Sequence, residues 1–208
     1  MLNKSRLESL SDGLFSIVLT LIVFDINIPA VVGGLHTNAA LLAELRALLP
    51  LLTEFVLSFL VLAMFWISHN YFYTYFATTI NRQLMLLNLL YLALISFIPF
   101  SARVLGTYFG APLAADVYGL NVFLISLTNI GILAYAIRSH EIENDVSSRL
   151  LKQAKFRSYF TLSSALIGIL VAWISIPLAL LFFVLPLMFN IVPGTLTALE
   201  NLFGFRLE

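Results

Sequence analysis

Four side chains capable of acid–base chemistry stand inside otherwise apolar stretches: Asp12, Asp25, Glu54 and His69. Arg6, Arg82 and Arg103 stand at the ends of such stretches, and Asn88 and Asn121 add amides within them. An ionisable group in an apolar span is costly, and it marks an ion path, a proton relay or a tie between helices. His69 sits in Trp66-Ile67-Ser68-His69-Asn70. No second histidine lies four residues away, so a hydrogen-bonded structural role is expected there rather than zinc ligation. Cysteine is absent, which removes disulfides, thiolate metal sites and cysteine nucleophiles together. The glycine-rich phosphate loops, the H-E-x-x-H metal motif and the G-x-S-x-G nucleophile turn are also missing. Neither a metal nor a cofactor is expected.

These few polar groups are set in 208 residues, 61% of them apolar and only 11% charged, against about 25% charged in an average soluble domain. Mean hydropathy is +0.99. A soluble domain of this size could not hide so much apolar surface. Eleven basic residues balance eleven acidic ones, so no nucleic-acid partner is expected. Disorder is excluded by the same composition. The chain belongs in a lipid bilayer.

A helix needs roughly 20 apolar residues to cross the hydrocarbon core. Stretches free of Asp, Glu, Lys and Arg place six spans at about 10–28, 48–68, 84–105, 117–137, 159–176 and 178–192, in one domain covering the whole chain. The last two share one uncharged stretch of 42 residues, 158–199. As a helix that stretch would run about 63 Å, and Pro177 is the expected break. The stretches do not alternate, which argues against a closed barrel.

If the spans alternate, one side holds Lys4, Arg6, Arg82, Arg138, Arg149, Lys152, Lys155, Arg157 and Arg206, and the other only Arg46 and Arg103. That imbalance orients both termini to the cytoplasm, with the chain in the cell membrane. The 138–157 connector, with Glu141, Glu143 and Asp145, reads as a solvated helical link. Ser11, Asp12 and Asp25 interrupt the first span and no A-x-A site follows, so it reads as a retained span and not a cleaved signal. Tyr71, Phe72, Tyr73, Tyr75 and Phe76 form an interfacial aromatic belt.

On a helical wheel at about 100° per residue, Leu10, Gly13, Ile17, Leu21, Phe24 and Ile28 share one face of the first span. Thr20 lies beside that stripe, Asp12 nearly opposite, and Asp25 off its edge. Periodicity alone leaves a lipid-facing stripe, a packing stripe and an apolar pore lining all open, since apolar constrictions gate by dewetting. Asp12 is expected to be anchored to other helices. Asp25 either draws cations to an outer mouth or pairs with Arg103.

The run Arg6-Leu7-Glu8-Ser9-Leu10-Ser11-Asp12 resembles the R-x-x-x-F-S-D signature of the endosomal/lysosomal potassium channel family, the transmembrane protein 175 family, in its bacterial form. Residues 21–29, ending in Asp25 and Pro29, are similar to the family's close of that helix. Ser58-Phe59 with Trp66-x-x-His69, then Asn88-Leu89-Leu90 with Ile98-Pro99-Phe100, follow in family order through about the first half of the chain. Leu10 replaces the signature aromatic, and Asn70 replaces a second histidine. The resemblance implies an all-α membrane protein of six spans per subunit, assembled as a homotetramer. Its first helix would line a potassium-permeable pore with Ile17 at an apolar constriction, Leu21 a turn along and Thr20 alongside. Phe24 shares that face.

The expectation is therefore a passive potassium channel with a hydrophobic gate, which is not an enzyme. Its partners would be its own copies, the bilayer and potassium ions. Arg6, Ser11, Asp12, Trp66 and His69 are expected to form a structural network near the cytoplasmic end. The alternative is a secondary transporter or proton pathway using Asp12, Asp25, Glu54 and His69, although no pair of broken helices in matching halves supports it. A membrane-embedded enzyme would need a convergent polar cluster. Only Trp66, His69, Asp12 and Arg6 approach one, and helix-packing ties explain them more simply.

Overall fold

The computed structural model describes residues 4–26, 37–77, 79–139, 146–191 and 195. Helix α1, Lys4–Leu21, runs on as a single 3-10 turn, Ile22–Asp25. Then come α2 (Asn38–Ala47), α3 (Leu49–Tyr75), α4 (Arg82–Ser96), α5 (Ile98–Thr107), α6 (Pro112–Arg138), α7 (Ser148–Ala172), α8 (Ile176–Val184) and α9 (Leu187–Ile191). Polar caps start three of them. The Thr37, Asn81 and Ser147 side chains accept from the backbone N–H of Ala40, Leu84 and Leu150, which satisfies donors the first turn leaves free. Proline opens α3, α5, α6 and α8, where its missing N–H costs nothing.

Among the described residues four helical stretches are long and apolar enough to cross a membrane: Lys4–Phe24, Leu49–Tyr75, Arg82–Thr107 and Pro112–Arg138. A shorter apolar run spans Ile176–Asn190. The chain is thus an all-helical, multi-pass membrane protein. Basic side chains fill the first part of α7, leaving its apolar remainder short.

Several boundaries differ from the sequence reading. Helix α3 does not stop at Ser68 but continues to Tyr75, burying His69, Phe72 and Tyr73. The 84–105 span is two helices that meet at Phe97, because Pro99 cannot donate to the preceding turn. The break expected at Pro177 falls at residues 173–175, and the proline sits instead in the first turn of α8. Helix α2 lies in a stretch read as a loop. Ile28, Glu141, Glu143, Asp145, Val192 and Arg206 lie outside the described residues.

Helix α1 packs against α3 and α4, α3 against α5, and α6 against α7 and both halves of the kinked pair. Helix α8 folds back on α7. The Phe183 ring wedges between α6 and α7, where a Cβ on Gly168 would stand 2.5 Å from it and one on Gly119 2.7 Å. Only glycine permits that approach, and small residues are the usual means of close packing where lipid removes any hydrophobic drive between helices.

Candidate functional site: the free face of the first helix

Helix α1 has two chemically distinct faces. Leu7, Ser11, Phe15, Val18 and Ile22 are buried against the rest of the subunit. Ile17 is 60% exposed and Phe24 71%, with Leu10 and Leu21 also exposed on the same side. Thr20, Ser9, Gly13, Ser16 and Asp12 share this uncovered arc.

The hydroxyls on that arc are held by their own helix. Ser9 donates to the Ser5 carbonyl and Ser16 to the Asp12 carbonyl, each at 2.8 Å. Thr20 donates to the Ile17 carbonyl at 2.8 Å, with the Ser16 carbonyl at 3.1 Å. A hydroxyl that back-bonds this way survives without water and keeps its oxygen lone pairs free to face outward. A Cβ on Gly13 would meet nothing within 4 Å.

Two ties fix the orientation of α1. On the outer side, the Trp66 indole N–H donates to Asp12 Oδ1 at 3.0 Å, so the carboxylate is bonded to α3. On the inner side, His69 Nε2 lies 2.8 Å from Asn88 Oδ1, and Asn88 donates to Ser11 Oγ at 3.4 Å. Ser11 in turn donates to the Leu7 carbonyl at 2.9 Å. Rings close around the imidazole: Tyr91 stacks on it at 5.4 Å, Tyr73 lies at 4.6 Å and Phe15 at 5.9 Å between centroids. The Tyr91 hydroxyl donates to the Phe65 carbonyl.

The five-residue network expected from the sequence is therefore divided. Asp12 pairs with Trp66, whereas His69 and Ser11 join through Asn88. Arg6 belongs to neither part; it is exposed and makes no hydrogen bond or ion pair among the described residues. Asn88 is the residue that the spacing argument left without a role. Its signal was an amide in an apolar helix, which needs partners when buried.

Asp25 ends the 3-10 turn, and its side chain lies outside the described residues. Glu54 is buried on α3, accepting from Ser58, whose hydroxyl also meets the Tyr118 hydroxyl of α6 at 3.4 Å. Fifteen residues separate Glu54 from His69, about 22 Å along the helix. These two cannot pass a proton directly. Among the described residues no three His, Cys, Asp or Glu side chains cluster to hold a metal.

Comparison with known proteins bears directly on this helix. The family described as endosomal/lysosomal potassium channel TMEM175 matches residues 6–99, from the start of α1 through the kink. The fold matches the crystal structure of a lysosomal potassium-selective channel TMEM175 homolog from Chamaesiphon minutus, with a TM-score of 0.72 and 25% identity, over 89% of this chain and 95% of that one. Over residues 6–99 the chain is thus similar to the TMEM175 family. A potassium channel of Streptomyces collinus is 34% identical over 131 residues, which is 61% of each chain, so the match spans less than two thirds of that relative. A potassium channel of Chamaesiphon minutus is 27% identical over 185 residues, 82% of this chain and 87% of that one. The family match lies on the part of the chain that carries Asp12, Trp66, His69 and Asn88.

Proposed function

We propose that this chain is a TMEM175-family member that forms a potassium-permeable channel, in which four copies bring the free face of α1 to a shared axis. The observation that carries this is the mixed chemistry of that face. Apolar residues alone decide nothing, because lipid accepts Ile17 or Phe24 as readily as a pore does. Hydroxyls at Ser9, Ser16 and Thr20 and a glycine on the same arc offer outward lone pairs and a close-packing surface that acyl chains do not use. They suit close packing of copies around a water path. Ile17 and Leu21 are the apolar constriction in this reading, with Phe24 beyond them and Thr20 at the seam. Asp25 is placed near the outer mouth. Conduction is passive and selectivity modest, since apolar walls cannot replace an ion's hydration shell as carbonyl rings do.

The proposed subunit crosses the cell membrane six times, with α7 and the α8–α9 pair as the last two spans and both termini cytoplasmic. The nine-to-two partition of basic residues supports that orientation. Reporter fusions after Glu208 and within 138–157 are expected to report cytoplasm. An external signal from either one contradicts the topology.

The function itself is tested by planar-bilayer recording of purified protein under potassium, sodium and proton gradients. A passive potassium current with reversal near the potassium potential is expected. Current carried by protons alone would favour the relay through Asp12, Asp25, Glu54 and His69.

A further inference from the structure

A second polar feature lies away from α1. A cavity of about 70 Å³ opens between α3, α6, α7 and α9, room for roughly five water-sized groups. Its polar lining is Ser68, Tyr71, Asn129, Arg157, Ser158 and Asn190. A smaller space of about 10 Å³ continues inward past Ser126 and Thr161 and shares Ser68, Asn129, Ser158 and Asn190. Phe72 and Leu133 form part of the apolar wall.

The bonding here is one-sided. Among the described residues, the side chains of Ser68, Asn129, Ser158 and Arg157 make no hydrogen bond to protein. Arg157 Nε is buried with no partner. Arg157 as a whole is half-buried, as are Ser68 and Asn129, whereas Ser158 is buried; a buried donor such as Nε is normally paired. Among the described residues no carboxylate lines the cavity to balance Arg157; the neighbouring titratable group is the Tyr71 phenol. The same helix carries Arg149, Lys152 and Lys155 just before it. A guanidinium has only donors, arranged in a fork that matches phosphate or carboxylate oxygens. Amide and hydroxyl groups from three other positions can complete such a shell.

We infer that this cavity is a binding site for an anionic phosphate group, held by Arg157 with Asn129, Ser68 and Ser158. It stands at the boundary between the basic and apolar parts of α7, beside the end of α3, where Phe72, Tyr73 and Phe76 of the expected interfacial belt are instead buried in the subunit. A basic pocket between helices at that depth is placed to take an anionic lipid headgroup. A free phosphate has the same chemistry. The site is independent of the pore, and its test does not require current.

The experiment is native mass spectrometry of the detergent-purified full chain with phosphatidylglycerol, phosphatidylcholine or inorganic phosphate. Wild type is expected to retain phosphatidylglycerol at least fivefold better than phosphatidylcholine. Arg157→Gln should bring that ratio below twofold. Asn129→Leu removes the amide without changing charge and should do the same. Where Arg157→Gln does not elute as wild type does, Asn129→Leu carries the comparison. An Arg157-dependent phosphate adduct with no lipid preference assigns the site to a free anion. Equal retention of both lipids with no phosphate adduct overturns the proposal, as does unchanged retention in a properly eluting Arg157→Gln.

Discussion

Ile17→Asn is expected to raise the channel current and weaken its preference for potassium over sodium. Ile17 is 60% exposed on a helix whose other face is packed, so the substitution does not disturb the subunit core. In the proposed tetramer it replaces an apolar ring with four amides. The apolar ring excludes water, and a hydrated ion meets a barrier there. Amides wet the ring and offer oxygen to either ion. A barrier lowered by about 1.4 kcal/mol is a tenfold gain in rate, so an increase on the order of tenfold in unitary current is the scale to look for. Single-channel recordings of wild type and variant, matched for assembled protein, measure it. Unchanged conductance in a correctly assembled variant would place Ile17 against lipid or another helix.

Asn88→Leu is expected to be the most damaging substitution for the fold. Asn88 is fully buried and serves two partners, His69 through its carbonyl and Ser11 through its amide. Leucine fits the apolar surroundings but leaves the imidazole without an acceptor, inside a shell of Tyr73, Tyr91 and Phe15. Stranding a buried polar group costs about 1–3 kcal/mol, although polar ties between membrane helices average nearer 0.6 kcal/mol. The stranded-group figure applies here because protein rings, and not lipid, enclose His69. Thermal unfolding in detergent should show a clear drop in Tm. His69→Leu combined with Asn88→Leu should recover part of it, since removing both partners strands neither. Failure of the single variant to lower Tm would remove Asn88 from its role as the tie between α1, α3 and α4.

The two faces of α1 were legible in the sequence because a 3.6-residue repeat separates Leu10, Ile17, Leu21 and Phe24 from Leu7, Phe15 and Val18. What lay across from each face was not. A wheel drawn for one helix shows which residues share a side and nothing about its neighbours. Asp12 was readable as a group needing a partner, whereas the division of its expected partners between Trp66 and Asn88 depends on how α3 and α4 flank α1. Boundaries misled for a related reason. Ser68-His69-Asn70 looks like the polar end of a span, yet α3 continues because His69 finds an acceptor on α4 and its neighbouring rings are buried. Helix α2 has Leu41, Leu42 and Leu45 at helical spacing, but its ten residues include Glu44 and Arg46 and are too few to cross a bilayer, so a search for spans passes over it. The cavity beside Arg157 draws on four helices far apart in sequence and had no local signature.

The absence of cysteine from the chain makes the central claim directly testable. Ile17→Cys introduces a single thiol at the proposed constriction, and Phe15→Cys places one on the buried face as a control. If the free face of α1 lines the pore, a small charged thiosulfonate applied during bilayer recording abolishes the Ile17→Cys current and leaves wild type and Phe15→Cys unchanged. Persistent, unmodified current through Ile17→Cys channels would contradict the account.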